Sequence, residues 1–254
     1  MTATSHDLRL KNPPVRYVRL TVDFKSSLPI QNWHLDQFYG RVADDYPIRE
    51  EVAPKTPIEN ENQEILIAGT RGWPIPRTIL SRQSKTLEVQ EDQLAVTWNF
   101  DEDSKDNKYP GFETLLADIT NKYSMLEFSL KEFENELEPT RVECLYGNEI
   151  EKVTGRDLLL GVLTEWNGKV SEALELEPVE YAGIRIHDMA GGPESPFSST
   201  VFVDTSAHAA PMLGFEVSKL TNQLDIQGDL ELVHNHVTSM FLKYVSDEML
   251  NEWR

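Results

Sequence analysis

Apolar and polar residues alternate from Val18 to Phe24, where Val18, Leu20, Val22 and Phe24 fall between Arg19, Thr21 and Asp23. A period of two predicts a half-buried strand. From Trp33 to Tyr46 the spacing turns helical, through Trp33 or His34, Phe38, Val42 and Tyr46, and Pro47 is expected to stop it. Residues 48–64 are acidic and carry two prolines, which predicts loop with a short extended piece; residues 64–70 read as a strand. The run GWPIPR, residues 72–77, has prolines at alternate positions and fits only an edge or a turn.

From Thr78 onward the pattern is an antiparallel meander. Ile79 opens one strand, Leu87 and Val89 lie on a second, and Glu91-Asp92 turns into a third carrying Leu94, Val96, Trp98 and Phe100. A helix is expected from Gly111 or Phe112 to Leu137, with Phe112, Leu115, Leu116, Ile119, Tyr123 and Leu126 on its apolar stripe and Pro139 ending it. Val142, Cys144 and Tyr146 then alternate as a strand. Asp157 is read as the cap of a short helix holding Leu158, Leu159, Val162, Leu163 and Trp166. Strands follow over 179–188, 199–206 and 212–225, with Gly191-Gly192-Pro193 in a loop. The clearest signal is the last one, Leu230–Trp253. Leu230, Val233, Val237, Phe241 and Tyr244 recur at helical spacing, Asp229 stands as the N-cap, and a break is expected at Ser246. The stripe through Phe241 is read as core, and the segment after Ser246 as the start of a partner contact.

Strands joined by short turns, with helices gathered between them, predict an α+β fold. The expectation is two similar halves, residues 1–154 and 155–254, each an antiparallel meander sheet covered by helices, or one continuous domain ending in the amphipathic helix.

Composition narrows the class. Of 254 residues 39% are hydrophobic and 26% charged, ordinary values for a globular chain. No apolar run approaches the length that crosses a bilayer, the opening MTATSHDLRLKNPP lacks a secretory core, and Cys144 is the only cysteine, so a cytoplasmic location is expected. Lys plus Arg number 24 against 43 Asp plus Glu, a net charge of −19 that repels phosphate backbones and anionic membranes. Direct nucleic-acid binding and membrane association are argued against. The acidity serves solubility or offers a face to a basic protein.

Several segments, NPPVRYVRLTVDF, Tyr46-Pro47, KTLEVQEDQLAVTWNF, YPGFE and the closing helix with VSDEM, stand in an order and spacing that resembles a sporadically distributed prokaryotic family of similar chain length. The resemblance covers nearly the whole chain and implies a fold and a bacterial setting, not an activity. In that family the strand after the second helix reads arginine-tyrosine with an asparagine beyond. Tyr146 and Asn148 match, but Leu145 stands where the arginine is expected, so no role of that arginine carries over.

Chemical motifs are sparse. His234 and His236 are two apart on a helix and project differently, so they do not form a zinc pair, and no cofactor or metal is expected. The acidic loop at Asp101 has Lys105, Asp106 and Phe112 where a calcium loop needs an oxygen ligand, glycine and glutamate. Neither a G-x-S-x-G elbow nor a phosphate-binding glycine loop occurs. Cys144, alternating with Val142 and Tyr146, reads as buried rather than reactive. Trp73, among prolines and glycines, is either a plug on the domain or part of a contact patch with Pro74, Ile75 and Pro76.

The leading expectation is therefore a non-enzymatic protein-binding module, of regulatory, antitoxin-like or defence-system type, acting through a protein partner or a homo-oligomer. Its candidate binding residues are Tyr146, Asn148, Trp73 and Trp253. The alternative is an enzyme or small-ligand sensor whose site is assembled from Tyr146, Asn148, His187, Asp188, Asp204 and His208, residues on or beside strands. A self-assembling scaffold is a third possibility.

Overall fold

A computed structural model describes residues 10, 13–53, 76–101, 108–151, 153–155, 157–159, 161–162, 181–188, 196–206, 209–221 and 225–253. The fold is mixed α+β. Its strands are β1 (Val15–Ser26), β2 (Ile48–Val52), β3 (Arg77–Arg82), β4 (Lys85–Gln90), β5 (Gln93–Asn99), β6 (Leu137–Glu149), β7 (Tyr181–Asp188), β8 (Phe197–Ser206) and β9 (Ala209–Leu220). They form one nine-stranded sheet in the order β2-β3-β4-β5-β1-β6-β9-β8-β7. The helices are α1 (Asp36–Val42), preceded by a 3-10 turn at Asn32–Leu35, α2 (Phe112–Lys131), a short α3 seen at residues 155, 157–159 and 161–162, α4 (Ile226–Tyr244) and α5 (Asp247–Trp253).

The chain groups into two compact units. One holds Leu20–Arg141 and Thr221–Ile226; the other holds Met1–Arg19, Val142–Leu220 and Gln227–Arg254. In the first, β3, β4 and β5 make an antiparallel meander with Leu80 opposite Leu87 and Leu87 opposite Val96. These three side chains are buried, as is the stripe Leu115, Ile119, Leu126 and Leu130 of α2. In the second unit, β7, β8 and β9 form another meander, with Ile186 opposite Val201 and Val201 opposite Phe215. Phe215 packs on Phe241 and Tyr244 of α4, with ring centroids 6.0 and 5.9 Å apart.

Where the structure departs from the sequence pattern, hydrogen bonding supplies the reason. The helix expected from Trp33 to Tyr46 is a 3-10 turn followed by a helix that stops at Val42, whose carbonyl accepts from the amides of both Asp45 and Tyr46. Helix α2 ends at Lys131, not near Leu137. The amide of Glu134 donates to Lys131 O (3.1 Å) and that of Asn135 to Leu130 O (3.3 Å), the Schellman pattern, with Glu134 in the left-handed region at φ 55°. Pro139 consequently lies inside β6 rather than ending a helix. The short extended piece expected within the acidic stretch 48–64 is β2, all but its last residue exposed, so no alternation marks its bounds. Helix α3 is capped by Thr154, not Asp157: Thr154 Oγ1 accepts from the Asp157 amide (3.1 Å) and donates to its carboxylate (2.7 Å). Helix α4 begins at Ile226, which puts Asp229 inside its first turn, buried and ion-paired with Lys219. The strand expected at 64–70, Trp73, Leu163, Trp166 and the Gly191-Gly192-Pro193 loop lie outside the described residues.

Candidate functional site

Strand β6 alternates Val142, Cys144, Tyr146 and Asn148, all buried. The Tyr146 hydroxyl lies 3.3 Å from His234 Nδ1 on α4, with ring centroids 5.7 Å apart. Asn148 is 2% exposed and its Nδ2 donates to Leu213 O at 3.1 Å. The structure thus brings Tyr146 together with His234 and sets Asn148 two residues along the strand, but each is engaged with its own unit. Burial pushes the Cys144 thiol well up, which keeps it protonated and unreactive.

The other strand-borne candidates are not gathered around this pair. His187 pairs with Thr200 and accepts or donates a 2.8 Å hydrogen bond to its hydroxyl. Thr200 in turn lies opposite Glu216, next to Phe215 on β9. Because successive strand residues point to opposite faces, His187 is on the face away from α4, whereas Tyr146 is on the face α4 covers. Asp204 is opposite Gly183, four positions along β7 from His187 and so roughly 13 Å away. Asp188 pairs through its backbone with Ser199; His208 lies outside the described residues. Among the described residues, no three His, Cys, Asp or Glu side chains come together as a metal site.

Trp253 finds an intramolecular place. Ser246 breaks the closing helix and caps α5 by accepting from the Met249 amide (3.3 Å). Helix α5 then folds back so that Trp253 meets Phe241, centroids 5.8 Å apart, while Leu250 is 5% exposed. Trp253 is half-buried in its own unit.

A charged cluster that the sequence reading did not single out sits in the other unit. Lys122 on α2 is 1% exposed, and its ammonium donates to Asp45, just past α1. It is also 3.9 Å from Asp118, one turn back on α2, and 5.8 Å from the Tyr46 ring centroid. The Tyr46 hydroxyl donates to Asp118 at 2.6 Å, and burial together with that carboxylate pushes its proton loss far up. The hydrogen bond from Lys122 holds the Asp45 carboxyl below its ordinary range. Such a lysine cannot reach a substrate; its chemistry is to tether the turn after α1 to α2.

The same unit has a surface of a different kind. Trp33 is 59% exposed, Phe128 54% and Leu28 48%. The Trp33 ring meets Phe133 edge-on at 5.1 Å and His34 at 3.9 Å, and His34 packs on Phe133 at 4.7 Å. Farther along the same helix pair, Gln37 donates to Glu132 (2.9 Å) and Arg41 covers Phe128 at 4.6 Å. The backbone beneath is fixed. Asn135, 1% exposed, accepts at Oδ1 from the Leu28 amide and the Ser27 hydroxyl (both 3.1 Å) and donates from Nδ2 to Leu28 O (3.0 Å). His34 Nδ1 accepts from the Gln31 amide at 2.9 Å, and burial lowers the affinity of its ring for a proton. One sequence signal pointed here: Phe128 lies off the α2 stripe, two residues past Leu126, on the helix's polar face.

No protein-family model and no curated protein sequence matches the chain. Among the described residues no helix is long and apolar enough to cross a membrane.

Proposed function

We propose that the chain is a non-enzymatic protein-binding module. The observation that carries this reading is the exposure of Leu28, Trp33 and Phe128 in one unit, with Trp33 edge-on to Phe133 and the Leu28 backbone fixed by Asn135. Large apolar side chains collected on a rigid surface mark contact sites, and tryptophan is the residue most enriched at their energetic centres. The internal engagement of Tyr146, Asn148 and His187 supports the same reading, since these polar groups are occupied within the fold.

The finer reading is a regulatory, antitoxin-like or defence-system component, which follows the resemblance to a sporadic prokaryotic family. A reducing, cytoplasmic setting fits a chain whose one cysteine is a buried free thiol. A plan of two similar halves, each a meander beside a long helix, is supported by the β3–β5 meander with α2 and the β7–β9 meander with α4. The test is capture from a bacterial host, identification of the captured protein, and reconstitution of the pair from purified components. A stoichiometric complex supports the module; a chain that reconstitutes with nothing and sizes as a monomer contradicts it.

A further inference from the structure

We propose that the Leu28–Trp33–Phe133 surface docks a cationic, apolar segment of a different protein, an inference that rests on reading the chain as a protein-binding module. Charge supplies the choice of occupant. Residues 28–37 and 132–138, the two stretches that present Leu28, Trp33 and Phe133, contain Asp36, Glu132, Glu134, Glu136 and Glu138 and no lysine or arginine; Lys131 and Arg41 stand just outside them. All five carboxylate residues are exposed. Exposed apolar side chains on stretches carrying five exposed carboxylates complement a partner whose apolar side chains are flanked by lysine or arginine, and penalise an acidic partner. They equally penalise a second copy of this chain, because a symmetric contact would set the five acids against their own duplicates in a protein of net charge −19.

The second argument is preorganisation. Leu28 is held by two backbone hydrogen bonds from one buried Asn135 side chain, and the Schellman turn at Glu134 and Asn135 fixes the loop that presents Phe133. The His34–Gln31 hydrogen bond fixes the turn that presents Trp33. Exposed apolar groups on loose loops collapse or move; these are held outward before any partner arrives, which lowers the ordering cost of association. Arg41, stacked on Phe128, marks the far end of the acidic stretch.

The test uses the full chain labelled with nitrogen-15 and follows its tryptophan indole resonances, the Trp33 signal being assigned from Trp33→Phe. The probes are an amphipathic leucine–lysine helical peptide and its leucine–glutamate counterpart. The expected result is a saturable shift of the Trp33 resonance with the lysine peptide only, and an affinity weakened about tenfold or more in Trp33→Ala/Phe133→Ala. Equal binding to that variant would mean mere attraction to an acidic protein and would overturn the proposal, as would a Trp33 signal that does not move. If the double variant does not fold, Leu28→Ser with Asp36→Lys takes its place, with the same loss expected. A reconstituted natural partner that binds without moving Trp33 overturns this surface while leaving the module reading intact; failure to reconstitute any partner removes the module reading itself.

Discussion

Trp33 meets Phe133 edge to face, ring centroids 5.1 Å apart and planes at 83°, yet keeps 59% of its surface open. The pair is a contact between a 3-10 turn and the residue just beyond α2, and only its inner edge is covered. Truncating Trp33 removes little buried area. Trp33→Ala should therefore cost stability only about 1 kcal/mol, the worth of an aromatic pair, while weakening association by a much larger factor. Urea unfolding beside a binding titration separates the two; a large loss of stability would show Trp33 to be core.

The turn that presents Phe133 stores a small strain. Glu134 has φ 55°, a conformation in which glycine pays no steric penalty, and its side chain is exposed. Glu134→Gly should raise stability by up to about 1 kcal/mol, offset in part by the greater chain entropy of glycine when unfolded. A higher urea midpoint checks it, and a lower one would mean that the Glu134 side chain contributes to the turn.

The Lys122 tether makes a pH-dependent contribution whose sign follows from its geometry. Asp45 accepts from Lys122, and its carboxyl is held below the ordinary range. A depressed folded-state acid adds stability that is fully present above the ordinary carboxylate range and is lost as pH falls through and below it. Asp45→Asn should thus be less stable than the wild type at neutral pH and converge with it in acid. Because Asp45 is 58% exposed, solvent screens that gain. Removing the buried partner is worse: Lys122→Ala empties a packed site and frees the turn at Asp45, while Asp118 keeps the Tyr46 hydroxyl and Lys85, a loss of about 3 kcal/mol from the cavity. Equal acid profiles for Asp45→Asn and wild type would show that the ion pair carries no stability.

Helix α5 is part of its unit's core. Leu250 is buried and Trp253 lies half-buried against Phe241, so the segment after Ser246, expected as the start of a partner contact, makes an intramolecular contact. Deleting residues 246–254 should lower stability by about 3 kcal/mol, the combined loss of one buried leucine and a half-buried tryptophan. An unchanged unfolding midpoint would return α5 to the surface.

Much of the fold was legible because burial imposes its period on the sequence. β1, β4 and β5 were legible because large apolar side chains stand at every second position, although residues 18–22 of β1 and 94–98 of β5 are buried without a break and so covered on both faces. The α2 stripe repeats because one face of that helix is covered. β2 was expected only as a short extended piece somewhere in residues 48–64, and its bounds escaped because its side chains are exposed and nothing enforces alternation. The end of α2 escaped because Glu134, an unusual residue for a left-handed C-terminal turn, carries no glycine signal. The candidate surface was least legible of all. Trp33 fits a helical apolar face in sequence, and only the three-dimensional pairing with Phe133 leaves it open. Tyr146 and Asn148 were singled out, but their alternation with Val142 and Cys144 is the mark of burial rather than of a recognition edge.

The central claim is that association runs through the Trp33 surface. Hydrogen–deuterium exchange on the reconstituted complex of the full chain with its purified partner tests it most directly. Protection should concentrate in residues 28–37 and 128–138, with the Tyr146–His234 region unchanged from the free chain. Protection elsewhere, with those two stretches exchanging as they do in the free chain, would contradict it.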